Sequence, residues 1–355
     1  MQAVVLVGGM GTRLRPLTHE IPKQMLCVAG VTMLERVVER LGTFGVDRVI
    51  LSMGYRPDVF MEAFPGNRIA GIELVYAVEP EPLDTGGAIR FASDFGEIDE
   101  TFLVVNGDVL CDFDLGLLID FHQRNPGSAT IALYPVEDPS AFGVVPTTQD
   151  GRVTAFIEKP PRDTAPTNHI NAGIYVLDME ALDGVFSGER VSIEKVVFPH
   201  LVEQGKLYAY EFEGSWVDAG TIDTFYNASR EFLALLTKAS SEQLSVAERS
   251  LIGSMPTGYH LIDGSLISFS AKIMTGALIT SSIIGPGVLV ETGASVVNSI
   301  VMEGATVSHH SYVHDSIVGN LAKIPAETVV EDLSVVALGC ELDSGVRLSG
   351  QKIPS

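Results

Sequence analysis

From residue 267 onward, aliphatic side chains recur at a spacing that neither a helix nor an alternating strand produces. Ile267, Ile273, Ile279, Ile284, Val290, Val296, Val301, Val307, Val313, Val318, Ile324, Val330 and Val336 stand 6, 6, 5, 6, 6, 5, 6, 6, 5, 6, 6 and 6 residues apart. Helices repeat every 3.6 residues and strands every 2. A triangular coil accounts for a period near six: each hexad supplies a short strand and a turn, three hexads close one coil, and each aliphatic side chain points inward. A single coil cannot bury that face, so the coils must stack. The spacing predicts roughly four of them, within a domain over 262–355.

The first two-thirds of the chain reads differently. Short apolar runs (Val4 to Val7, Val49 to Leu51, Leu74 to Val78, Phe102 to Val105) alternate with helical patterns. After Thr32, Leu34, Val37, Val38 and Leu41 form one apolar helix face that Gly42 and Gly45 close. Such alternation predicts an α/β domain over 1–238: a Rossmann-like, mainly parallel sheet with helices on both faces and its ligands at the carboxyl ends of the strands. Residues 239–261, with Ser240, Ser241, Pro256 and Gly258, read as the linker.

Composition removes several function classes. At 46% hydrophobic and 19% charged residues the chain is an ordered globular protein, long enough for two cores. A formal charge of −22 opposes nucleic-acid binding, which depends on neutralising phosphates with Lys and Arg. Cys27, Cys111 and Cys340 are odd in number and widely separated, so neither a disulfide framework nor a zinc site is expected. No apolar run approaches the ~18 residues of a membrane span, and a cytoplasmic location is expected.

Directly after the first apolar run come Gly8, Gly9, Met10, Gly11, Thr12, Arg13, Leu14, Arg15, Pro16, Leu17 and Thr18. Glycines let the backbone approach a phosphate and turn N–H groups toward it, and guanidinium groups pair bidentately with phosphate oxygens. The turn matches neither common nucleotide-binding glycine motif. Asp108, in Asn106-Gly107-Asp108, falls at the carboxyl end of a strand, where a site is expected. Alone it reads equally as a strand-end cap, and Asp218 as an N-cap for a helix starting near Ile222.

The order of the motifs decides between these readings. The glycine turn, then Pro22-Lys23-Gln24-Met25-Leu26, Asn106-Gly107-Asp108, Glu158-Lys159-Pro160, Asn171-Ala172-Gly173-Ile174-Tyr175 and Trp216-Val217-Asp218-Ala219-Gly220-Thr221 resemble, in sequence, the signature segments of the sugar-1-phosphate nucleotidyltransferases. The resemblance departs at Gln24, where that family usually has proline. It implies that the loop backbone at Gly8, Gly9, Gly11 and Thr12, with Arg13 and Lys23, holds a nucleoside triphosphate. It further implies that Lys159 binds the sugar phosphate, that Glu158 and Asn171 face the sugar, and that Asp108 and Asp218 hold Mg²⁺. The hexads similarly resemble hexapeptide-repeat proteins, implying a left-handed parallel β-helix, a module expected to mediate homo-oligomerisation.

Glu79-Pro80-Glu81-Pro82-Leu83-Asp84-Thr85-Gly86-Gly87 resembles the base-reading segment of guanylyltransferases such as mannose-1-phosphate guanylyltransferases, with Asp84 in place of glycine. It places Glu79, Asp84 and Gly86 at the nucleotide. Chemistry agrees, since guanine presents adjacent N1–H and N2–H donors that suit an acceptor-only carboxylate, whereas thymine suits an amide. Glucose-1-phosphate thymidylyltransferase is the alternative, and mannose is named by resemblance, with other hexoses, heptoses and cyclitols open. An acyltransferase on the β-helix, with His309 and His310, and a non-catalytic regulatory relative are the other classes weighed.

Overall fold

The computed structural model describes residues 1–239 and 255–354, so of the predicted linker residues 240–254 lie outside the description. Its last three residues are not linker: the strand Tyr259–Ile262 pairs antiparallel with Ser265–Ser268. The chain forms two compact units, Met1–Met10 with Leu34–Val217, and Gly11–Met33 with Asp218–Ser355. By compactness the division falls at Val217, and the segment 11–33 groups with the β-helix unit.

In the first unit the strands Phe102–Asn106, Gln2–Leu6, Arg48–Met53 and Ile72–Val78 lie side by side and all parallel. The central runs are apolar because both faces are covered there; Val4, Val5, Ile50 and Leu51 are fully buried, whereas Ile72–Val78 carries the exposed Glu73. Flanking this parallel centre, His169–Leu177 runs antiparallel to Phe102–Asn106, and Ala129–Pro135 antiparallel to His169–Leu177. The sheet is therefore mixed. The helix Met33–Gly42 presents the predicted face, with Leu34, Val37, Val38 and Leu41 all buried.

In the second unit parallel strands stack into three sheets, forming the sides of a β-helix. Five coils are present rather than roughly four, the added one being closed by Val335–Val336, a bridge at Glu341, and Arg347–Ser349. Eleven of the thirteen repeat positions are buried in its core; Ile273 is 39% exposed and Ile279 only half-buried. Both sit in the first coil, where no earlier coil covers the interior. At one corner a ladder of buried serines locks the 17-residue period: the N–H groups of Ser282, Ser299 and Ser316 donate to Oγ of Ser265, Ser282 and Ser299, at 3.0–3.1 Å. The next coil is one residue longer, and there Ser334 N–H turns instead to Glu331 O.

The helix Ile222–Ala239 is fastened to the β-helix by polar contacts. Tyr226 Oη donates to Asn298 O at 2.6 Å, and Arg230 reaches Asn298 Oδ1 at 3.3 Å and Asp315 at 3.8 Å. Gly30, at φ +80°, lets the hairpin Cys27–Thr32 close on Tyr259 and Leu266, either of which a Cβ would meet at 3.2–3.3 Å.

All three cysteines are free, but their environments differ. Burial pushes the Cys111 thiol up to about 11, whereas Cys27 is exposed. At pH 8 only about one Cys111 in a thousand is thiolate, the reactive form. Brief iodoacetamide treatment of the native protein is therefore expected to label Cys27 and spare Cys111, as peptide mass mapping will show. Equal labelling would mean that Cys111 is not in the core.

Candidate active site

Parallel pairing brings three predicted residues to one edge of the first unit's sheet. Gly8 follows Gln2–Leu6, Glu79 follows Ile72–Val78, and Asp108 follows Phe102–Asn106, each just past the carboxyl end of its strand. Asp108 is only 6% exposed. A buried carboxylate is costly unless paired or bound to a cation. Gly9, next to Gly8 in sequence, is exposed, in the part of the glycine turn that this unit contains.

Glu79 is half-buried and held at both oxygens. Oε1 accepts from Ser52 Oγ at 2.9 Å and Oε2 from Leu83 N–H at 3.1 Å. A Cβ at Gly8 would lie 3.4 Å from Oε1, so the glycine leaves that side of the carboxylate clear. Asp84 does something different from the base-facing role expected of it. It is exposed, and Arg190 takes both its oxygens, Nε at 2.9 Å and Nη2 at 3.3 Å. Its φ is +53°, in the left-handed region that glycine occupies most readily and Asp tolerates. Gly86 is a packing residue, with Val191 O 3.0 Å from where its Cβ would lie.

Three predicted sugar-side residues also fall in this unit. Asn171 sits at a bulge in His169–Leu177, where register against Ala129–Pro135 shifts between Asn171 and Tyr175. Bulges re-aim side chains. Its amide is fixed by Gly173 N–H donating to Oδ1 and by its own Nδ2 donating to Tyr175 Oη, both at 2.9 Å. Burial pushes the Tyr175 phenol well above its ordinary range, so it stays a neutral partner. Glu158 ends in an ion pair with Lys159 at 3.0 Å. Lys159 is exposed, at φ +48°, its N–H tied to Phe142 O at 3.0 Å.

The remaining candidates belong to the second unit. Gly11 takes φ +60° and starts the short 3-10 turn Thr12–Leu14, and Thr18 Oγ1 donates to its carbonyl at 2.7 Å. Thr12 and Arg13 are exposed, whereas Lys23 is half-buried and opens a second 3-10 turn. Arg13 Nη2 lies 3.7 Å from Asp218 Oδ2. Asp218 Oδ1 accepts from Gly220 N–H at 2.8 Å, but it is not the cap of the helix. Thr221 is: its Oγ1 accepts from Thr224 N–H at 3.2 Å while Thr224 Oγ1 accepts from Thr221 N–H at 3.1 Å, a reciprocal box. Gln24 is buried, and its Oε1 has no protein donor among the described residues.

Asp108 and Asp218 are hard oxygen donors, and among the described residues no group of three or more His, Cys, Asp or Glu could hold a metal. A cation held by either carboxylate, each in its own unit, has to complete its shell with water or other oxygens. That donor set fits Mg²⁺, which keeps waters and takes one or two carboxylates plus phosphates.

Residues 2–234 match the nucleotidyl transferase family model, and 261–355 match the GMPPB C-terminal domain. The chain belongs to the nucleotidyl transferase family. Within it, a mannose-1-phosphate guanylyltransferase of Mycobacterium tuberculosis is 39% identical over 281 residues, 78% of this chain and 77% of that one. A mannose-1-phosphate guanyltransferase of Saccharomyces cerevisiae is 34% identical over 77% of this chain and 73% of its own length. A crystal structure of HddC from Yersinia pseudotuberculosis complexed with GMP-PN superposes with a TM-score of 0.55 at 29% identity, over 65% of this chain and 99% of that one. The chain is thus an enzyme of the sugar-1-phosphate nucleotidyltransferase type.

Sequence reasoning missed Ser52 and Arg190. Ser52 is the next-to-last residue of a strand that reads as an apolar run, and Arg190 lies 106 residues from its partner, outside every motif.

Gly87 supplies a test of how the loop after Glu79 is held. It lies inside the helix Asp84–Phe95, where replacing glycine by alanine ordinarily gains about 1 kcal/mol. Here a Cβ would lie 2.0 Å from the carbonyl oxygen of Glu189, a backbone atom that cannot rotate away. Gly87→Ala is therefore expected to destabilise, by about 1–3 kcal/mol for overpacking, in denaturant titrations. A stabilised variant would show that the 188–194 segment does not lie against this helix.

Proposed function

We propose that this protein transfers GMP from GTP to mannose 1-phosphate, releasing pyrophosphate and giving GDP-mannose. One observation carries the choice of base: the Glu79 carboxylate has a single internal donor on each oxygen, leaving one further acceptor position on each. That pair matches the adjacent N1–H and N2–H donors of guanine. The names carried by the relatives support mannose.

The reaction needs no general base, because the phosphate of a sugar 1-phosphate is already an oxyanion at neutral pH. Its oxygen forms a bond to the α-phosphorus as the bond from that phosphorus to the α,β-bridging oxygen breaks, and pyrophosphate leaves with the electron pair. One displacement inverts the configuration at phosphorus. Repulsion between the anions is the barrier, and cations placed close to them lower it. Arg13 and Lys23 neutralise charge on the departing pyrophosphate, Lys159 pairs with the attacking phosphate, and Glu158 and Asn171 orient the sugar through its hydroxyls. Asp108 and Asp218 would hold Mg²⁺, which when bound supplies charge neutralisation between the reacting phosphates.

Asp108→Asn and Asp218→Asn are each expected to lower kcat at least ~100-fold in a pyrophosphate-release assay with Mg²⁺, with thermal midpoints little changed. Near-normal turnover in either variant would remove that residue from the metal site. Substrate panels test the assignment itself, since preference for dTTP over GTP would move the thymidylyltransferase reading ahead.

The protein is also expected to self-associate through the first coil of the β-helix. There Lys272–Ile273 and Leu278–Thr280 pair with a neighbour on one side alone, and Phe269, Met274 and Leu278 are exposed with Ile273. Unpaired parallel edges beside an uncovered aliphatic layer suit another such surface. The double change Ile273→Glu with Leu278→Glu is expected to lower the mass seen by light scattering. A monomeric parent protein at micromolar concentration would end this idea.

A further inference from the structure

The parallel sheet places one polar group under the base-reading carboxylate, and none of the motifs contains it. Ser52 is fully buried in Arg48–Met53, opposite Leu6 on one side and Ala77 on the other, and its carbonyl accepts from Val7 N–H at 3.0 Å. Its hydroxyl has two acceptors within reach, Glu79 Oε1 at 2.9 Å and Ala88 O at 3.3 Å, but only one proton to give. The charged acceptor is also the nearer one, and charge-assisted hydrogen bonds are about twice as strong as neutral ones.

We infer that Ser52 is a positioning residue for guanine selection, fixing the plane of the Glu79 carboxylate so that both oxygens meet the base together. The inference rests on the reading of Glu79 as the guanine acceptor. A glutamate side chain ends in a broad torsion, so its carboxylate plane is not set by the side chain's own staggering. Two donors on different oxygens set it here: Ser52 Oγ from the strand below and Leu83 N–H from the loop. Glu79 N–H is itself tied to Met53 O at 2.8 Å, so the stem is anchored beside Ser52 as well. The Leu83 end is stiffened in turn, because Leu83 O accepts from Val191 N–H at 3.0 Å and Gly87 N–H donates to Val191 O at 2.9 Å. Losing the Ser52 donor leaves one anchor, about which the carboxylate can turn.

A test needs a nucleotide that differs from GTP only in one of the two donors. Inosine triphosphate keeps N1–H and lacks the 2-amino group. With the full-length protein, mannose 1-phosphate and Mg²⁺, kcat/KM for GTP is expected to exceed that for inosine triphosphate by ~10-fold or more, the worth of one hydrogen bond to a charged group. Ser52→Ala is expected to raise KM for GTP ~3–10-fold with kcat little changed, and to affect inosine triphosphate less, so that the preference shrinks. Ser52→Cys, close in shape but a weak donor, is expected to shrink it similarly, and it serves alone if the alanine variant does not fold. A Ser52 that acts by packing would change both nucleotides in proportion.

If both variants that fold keep the parent's preference, the inference about Ser52 is overturned. Glu79→Gln separates this failure from that of the underlying reading. If it shifts the preference while the Ser52 variants do not, only the role of Ser52 falls. If Glu79→Gln leaves the preference intact, or if the parent does not distinguish the two nucleotides, Glu79 is not the guanine acceptor and both readings fall. Where both hold, adding Ser52→Ala to Glu79→Gln changes the preference little further, because one interaction has been removed twice.

Discussion

Strands that all run the same way must all end on the same edge, and the chemistry of the first unit depends on that. Gln2–Leu6, Arg48–Met53, Ile72–Val78 and Phe102–Asn106 are parallel neighbours, so residues far apart in sequence, Gly8, Ser52, Glu79 and Asp108, reach one rim. The same arrangement buries both faces, which requires nearly uninterrupted aliphatic strands. Polar groups are then admitted only at the strand ends. Ser52 marks that limit: it is the next-to-last residue of its strand, and its buried hydroxyl is satisfied by the carboxylate that follows the neighbouring strand.

A net charge of −22 looks unsuited to two polyanionic substrates. Long-range attraction is not what this chemistry uses, since salt screens exposed charges beyond about 10 Å. Affinity and rate come from cations at contact distance, and each candidate cation here has a defined local setting. Arg13 stands near Asp218, Lys159 is paired with Glu158, and the half-buried Lys23 opens a 3-10 turn. Where an arginine or lysine already faces a carboxylate, phosphate has to replace that partner.

The β-helix was legible because its period is set by geometry rather than composition: a triangular coil accepts only one inward aliphatic residue per side. Even so, periodicity cannot say where a stack ends. Ile273 keeps the spacing but lies in the first coil, with no earlier coil among the described residues, and the last coil carries one side on a single bridge at Glu341. The motifs name candidate residues without saying what each one touches. Asp218 could equally have been a helix cap until Thr221 and Thr224 were seen to fill that role. Ser52 and Arg190 could not be found at all, because their significance lies in partners 27 and 106 residues away.

Asp84 shows how a departure from a motif can be absorbed without altering what the motif does. The position requires a left-handed backbone at the start of a helix, a demand glycine meets freely and aspartate meets better than most residues. Bringing in aspartate also brings a negative charge close to Glu79 in sequence, where a second free carboxylate would compete for donors. Arg190 removes that competition by engaging both Asp84 oxygens. The pair is exposed and adds little to stability. Its effect is one of direction, since a carboxylate held by a guanidinium has its acceptor positions turned toward that partner. The loop keeps its shape through buried backbone bonds to Val191, which any residue at 84 leaves in place. Asp84 thus has its oxygens engaged by Arg190, while those of Glu79 keep their own donors, Ser52 Oγ and Leu83 N–H.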